Sequence, residues 1–231
     1  MKTNPYILIL AAFTIGCSPL KESLQHEFGE GYYSMSNREK VYLLMYEDTI
    51  QIFAVKADRK TVDTTQYRVY AFPETSYGTA PAGFQVIKSG LDLDFITIAL
   101  KYRPARHDIP PQLNTNLNGA IYLGYRTDWY RIRYDKTPLG AYRRHFRNTG
   151  FDFGGFAGIG STSINYVVTG GQLDIDYEGI IFSAGLGAFT GLDSFGFGLT
   201  VGWDFLLDNN RQYWLYQRTP WVGLALGINL N

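Results

Sequence analysis

The sequence predicts an all-β fold, an antiparallel up-and-down β-barrel of eight to ten strands. Three observations predict it. The 231-residue chain carries 25 glycines and 16% aromatic residues but only 18% charged ones, against roughly 25% charged in ordinary soluble domains. From Val41 onward, run after run alternates between large apolar and small or polar residues, the period of a strand. No sustained helical period competes; the one weak helix candidate is 139–147, L-G-A-Y-R-R-H-F-R.

The elements follow in order. Met1-Lys2 opens positively, and Tyr6 to Gly16 is an apolar stretch of signal-peptide length, too short to span a membrane as a helix. It ends at T-I-G-C, which resembles a bacterial lipobox with Thr14 in place of the usual Leu; this implies a signal peptide over 1–16 and lipidation at Cys17. Cys17 is the only cysteine, so neither an internal disulfide nor a thiolate metal cluster is expected. Residues 17–40 read as a polar tether, and 41–231 as the barrel. The portion 41–90 carries the weaker pattern and could be partly periplasmic.

Within that body, V-Y-L-L-M-Y, E-D-T and I-Q-I-F-A-V form a hairpin over 41–56. Q-Y-R-V-Y-A-F ends at Pro73, and a loop rich in Gly, Pro, Ser and Thr follows over 73–83. F-Q-V-I-K is a short strand that Ser89-Gly90 turns into L-D-L-D-F-I-T-I-A-L-K-Y-R; residues 104–116 are a proline-rich loop. G-F-D-F-G-G-F-A-G-I-G alternates less cleanly, as a bulged strand would. The last three strands alternate best. Phe182, Ala184, Leu186 and Ala188 oppose Ser183, Gly185 and Gly187. Phe195, Phe197, Leu199, Val201, Trp203 and Phe205 oppose Gly196, Gly198, Thr200, Gly202 and Asp204. Val222, Leu224, Leu226, Ile228 and Leu230 oppose Gly223, Ala225, Gly227, Asn229 and Asn231.

The second face decides which side is inside. A soluble sheet turns a charged face to water. Here that face is nearly bare, and glycine-rich strands suit an interior where space is short. The large apolar residues then point outward, as lipid requires. These strands resemble those of small Gram-negative outer-membrane β-barrels, which implies a transmembrane barrel with aromatic girdles. Candidates for the girdle are Trp203, Phe205, Trp214 and Trp221. The family commonly ends in an aromatic residue; this chain ends in Asn231. The family's pattern of short periplasmic turns and longer outer loops places 207–219 and 161–178 outside and 135–149 on the periplasmic side.

Candidate lumen charges are Arg126, Arg131, Arg133, Asp152 and Asp204. They could line a solute pore or form the ion pairs that fill a closed barrel, since about eight strands leave room only for side chains. L-D-I-D-Y-E (173–178) reads as a solvated strand extension and lacks the turn glycine of a calcium loop. Y-R-R-H-F-R (142–147) could meet anionic head groups or be a solvated loop. His26, His107 and His145 stand beside no recognisable nucleophile on a strand, so no triad is read and no cofactor or metal is expected. The 21 basic and 21 acidic residues balance, which argues against a general nucleic-acid binder. The reading is therefore a structural or passive outer-membrane barrel. Its expected partners are outer-membrane lipid and other envelope proteins. A small pore, a soluble lipocalin-like or sandwich lipoprotein, and a lipid-modifying enzyme stand as alternatives.

Overall fold

The computed structural model describes residues 28–58, 60–106, 109–192 and 195–228. The expected leader over 1–16, Cys17, His26, His107 and Asn231 lie outside the described residues. Apart from a 3-10 turn at Asn209–Gln212, every regular element among the described residues is a strand. The strands are β1 (Gly31–Met35), β2 (Lys40–Tyr46), β3 (Thr49–Val55), β4 (Val62–Ala71), β5 (Thr75–Ser76), β6 (Phe84–Arg103), β7 (Gln112–Asn114), β8 (Asn118–Lys136), β9 (Tyr142–Ile164), β10 (Tyr177–Leu192), β11 (Phe195–Leu206) and β12 (Pro220–Ile228). Every pairing given a register is antiparallel. The chain divides into two compact units. β1 lies inside the stretch read from sequence as tether.

The first unit contains Lys40–Pro81 and Asp135–Arg144. The expected hairpin is present: β2 pairs with β3 from Val41 opposite Ala54 to Tyr46 opposite Thr49. Its tight turn places Glu47 at φ 51. Val41, Leu43, Met45, Ile50 and Ile52 are buried, so this unit hides its apolar face in the ordinary way. β4 runs beside β3 with a register break between Phe53 and Val55. Before it, the Asp58 carboxylate accepts the backbone N–H of Lys60 and Thr61 and the Thr61 hydroxyl.

The second unit contains Ala82–Tyr134 and His145–Asn231. Its long strands lie in the order β6, β8, β9, β10, β11, β12, and β12 pairs with β6 as well as with β11. Four local expectations change here. Ser89 and Gly90 do not turn the chain; they pair with Thr127 and Arg126 inside a single 20-residue β6. The helix candidate 139–147 is not helical: residues 139–141 close the link from β8, and Tyr142 to Arg147 alternate as the first part of β9. β9 meets β10 without a register break from Gly150 to Ile164, so the suspected bulge is absent. Residues 135–149 are mostly strand, and only 137–141 link β8 to β9. The pattern of large residues outside is thus carried by six strands rather than eight to ten.

Burial in this unit is inverted. Leu91, Leu93 and Phe95 on β6, Ile121, Leu123 and Tyr125 on β8, and Phe151, Phe153 and Ile159 on β9 are all exposed. The same holds for Ile180, Phe182 and Leu186 on β10 and for Val222, Leu224 and Leu226 on β12. On β11, Phe197 is 64% and Leu199 61% exposed. The bare face is the buried one. Connections alternate in length: 104–117, 165–176 and 207–219 at one end, and only two residues between β10 and β11 at the other.

Candidate functional site on the buried face

The glycines of the buried face make room for rings. Trp221, Phe156, Tyr122 and Phe189 belong to one buried cluster with Ile96, Ile98, Ala120 and Ala225. Tyr122 meets Phe189 edge-on at 4.8 Å between centroids, and Phe156 lies 6.0 Å from Trp221. A Cβ on Gly202 would stand 2.6 Å from the Trp221 ring and 3.0 Å from Phe156; one on Gly187 would stand 2.8 Å from Phe189. Interiors packed to this density have no slack for an added methyl group.

Charge sits on one side of the cluster. Asp204 accepts from Lys101 Nζ at 2.9 Å, from an Arg103 Nη at 2.7 Å and from the Ser183 hydroxyl at 2.6 Å. Lys101 also donates to Asn118 and Ser183, each at 3.0 Å, and Arg103 donates to Thr162 at 3.1 Å. All these residues are buried. A buried charge is tolerable when paired and hydrogen-bonded, and here two cations share one carboxylate. Aromatic faces carry the excess: Lys101 Nζ lies 4.5 Å from the Trp221 ring, and the Arg103 guanidinium 5.1 Å from Trp214 and 5.4 Å from Tyr216. Trp214 and Tyr216 come from the 207–219 connection and pack with Ile109, Ile164, Val168, Ile181 and Leu206. Beside them Tyr177 donates to Asp208 at 2.7 Å, and burial together with that acceptor pushes its hydroxyl up.

A second polar group lies toward the short-turn end. Asp92, Asp94 and Asp152 bring carboxylate oxygens within 4.8 Å of one another. Arg126 stands 3.6 Å from Asp92 and 3.0 Å from Asp128, and Tyr122 donates to Asp152 at 2.9 Å. A small open cleft is lined by these acids with Thr190 and Gly191. Among the described residues this is the set with the donors to hold a cation.

Of the five candidate lumen charges, Arg126, Asp152 and Asp204 are on the buried face. Arg131 and Arg133 are not: in the unbroken alternation of β8 they share the face of Tyr125 and Trp129. Of the four girdle candidates, Trp203 is exposed, and Phe205 lies on the same outward face, 6.1 Å from Phe182. Trp214 and Trp221 are 2% and 1% exposed, so neither can line an outer girdle. Asp174 and Asp176 lie in the loop before β10, not on a strand, and His145 is exposed on β9. Lys101, Arg103 and Asp92 were not singled out from the sequence. Asp92 and Asp94 were legible in the alternation of L-D-L-D-F. Lys101 and Arg103 were not, because a register shift opposite Leu224 and Ala225 moves them onto the face of Ile96 and Ile98.

No protein-family model, characterised protein or solved structure matches this chain.

Proposed function

We propose that the second unit is a membrane-spanning β-barrel of the outer-membrane type, closed by the β12–β6 pairing, filled by its own side chains and acting structurally. One observation carries this reading: across six adjacent strands, the apolar face is exposed and the small or polar face is buried. Exposed apolar patches on soluble monomers rarely exceed a few hundred Å², and this one runs around every long strand. The pairing of β12 with β6 supports the same reading, because a span must satisfy its own backbone groups. So does height. The outward run Phe197–Phe205 on β11 extends about 30 Å along the strand. Tilted by roughly 45°, it covers about 20 Å, close to the ~25 Å apolar band of such barrels. Polar residues bound the band: Thr127, Thr149 and Thr190 at one end, Asn116, Ser161 and Glu178 at the other.

Six strands enclose less space than the eight that just admit packed side chains, which accounts for the glycines around Trp221 and Phe189. With Lys101, Asp204, Trp221 and Tyr122 in the bore, the favoured role is a structural element rather than a pore. The three long connections then face outward and are the surfaces offered to envelope partners. Cys17 supplies the lipid anchor that T-I-G-C implies.

The test labels single cysteines, in a Cys17→Ser background, with an environment-sensitive dye and quenches them with nitroxide lipids. Leu199→Cys and Val222→Cys should be quenched and Thr200→Cys should not. A mature chain that stays monomeric in detergent-free buffer after carbonate extraction would overturn the proposal.

A further inference from the structure

The outward face of β8 and β9 changes character below its apolar run. On β8 the outward residues read Ile121, Leu123, Tyr125, Thr127, Trp129, Arg131, Arg133; on β9 they read Phe153, Phe151, Thr149, Arg147, His145. The two strands are neighbours. Close approaches of Gly154 to Gly124 and of Gly158 to Ala120 fix their register. That register sets Arg131 across from Arg147 and Arg133 across from His145. All four belong to the second unit. Arg133, His145 and Arg147 are exposed and Arg131 is half-buried. Arg103, Arg126 and Arg144 all have carboxylate partners. Arg131, Arg133 and Arg147 have no ion-pair partner among the described residues.

Three guanidinium groups without an ion-pair partner among the described residues thus sit one to two steps below Trp129 and Thr149, on the side of the short turns. Same-face neighbours on a strand are about 7 Å apart, so the arginines lie at headgroup depth if the band above them lies in acyl chains. Tryptophan prefers that boundary, and guanidinium matches phosphate in a fork of paired donors. The geometry points to a specific binding surface for anionic phospholipid headgroups on the β8–β9 face, in the leaflet on the short-turn side. This rests on the membrane-spanning reading of the second unit. It gives the barrel a preferred lipid and, through that lipid, a preferred facing in the membrane plane.

The experiment uses the full mature chain with Cys17→Ser, reconstituted in vesicles of phosphatidylcholine with phosphatidylglycerol. A dye at Thr149→Cys reports this face, and a dye at Leu226→Cys reports β12, remote in the strand order. Nitroxide-labelled phosphatidylglycerol and phosphatidylcholine are compared as quenchers. A basic side chain near an anionic surface contributes about fivefold in association. The Thr149 probe should therefore favour phosphatidylglycerol at least about fivefold, and the preference should shrink as salt shortens the screening length to ~8 Å and below. The Leu226 probe should show little preference. R131Q/R133Q/R147Q should abolish the preference while both lipids still quench, which shows that the variant is inserted. Equal quenching by the two lipids at Thr149, or an unchanged preference in the triple variant, overturns the headgroup surface alone. Quenching by neither lipid at either probe overturns the membrane-spanning reading on which it rests.

Discussion

Leu199→Arg separates a lipid-facing strand surface from a water-facing one. Leu199 lies on the outward run of β11, one outward step inside Phe197 and before Val201 and Trp203, and it is 61% exposed. On a soluble protein such a substitution changes stability by no more than about 0.5 kcal/mol. At the middle of a bilayer the same arginine costs roughly 2–4 kcal/mol, falling to about 0–1 near the interface. Thr190→Arg, on the rim at the end of the outward run of β10, is the matched control. The two variants should therefore differ by about 1 kcal/mol or more, a factor of roughly five in the folding constant. The assay is reversible guanidinium unfolding in phospholipid vesicles, read by tryptophan fluorescence. The midpoint of Leu199→Arg should drop with the denaturant slope unchanged. Costs within 0.5 kcal/mol of each other at the two positions would refute the lipid-facing reading.

Other outcomes follow from the buried face and from the first unit. Asp204→Ala removes the carboxylate shared by Lys101 and Arg103 and should cost about 3–5 kcal/mol, since it leaves buried cations unpaired; equilibrium unfolding measures it, and a cost below about 1 kcal/mol would refute the pairing. Gly202→Val presses on Trp221 and Phe156 and should cost at least about 1–3 kcal/mol, with altered near-ultraviolet circular dichroism of the tryptophan; wild-type spectra and stability would count against the packed ring cluster. Planar-bilayer recording of the reconstituted chain should give no discrete conductance, and reproducible single-channel steps would favour a pore instead. The Thr61 hydroxyl and the Thr61 and Lys60 amides hold Asp58 down to about 2. Because the folded value lies below the unfolded one of about 3.9, its contribution is present above that value and disappears as pH falls through about 2. Carboxyl-carbon NMR should show that midpoint, and Thr61→Val should move it upward.

Much of the architecture was legible because the signals were local. The tight alternation of β10, β11 and β12 predicts their faces residue by residue. The β2–β3 hairpin is legible from its two apolar runs around E-D-T. Reading failed where a residue's role depends on what it meets. Ser89-Gly90 has the composition of a turn, but Thr127 and Arg126 across the ladder hold it extended. Trp214 and Trp221 have the composition of a girdle. Trp214 closes over Arg103, and Trp221 fills the gap that Gly202 and Gly223 leave. Arg131 and Arg133 were grouped with Arg126 by proximity in the chain, although strand parity already separates odd from even positions.

The sequence by itself determined the strand class and the inequality of the two faces, because a side-chain period of two is a property of consecutive residues. The alternating tail from Trp221 to Gly227 carried both facts. Only the tertiary structure decided how many strands share that pattern and which charges meet. Lys101 and Arg103 reach Asp204 because β6 slips register opposite Leu224 and Ala225, and a shift of one residue exchanges the faces of everything beyond it. That slip leaves no mark in the composition of A-L-K-Y-R; it exists only in the pairing of β6 with β12.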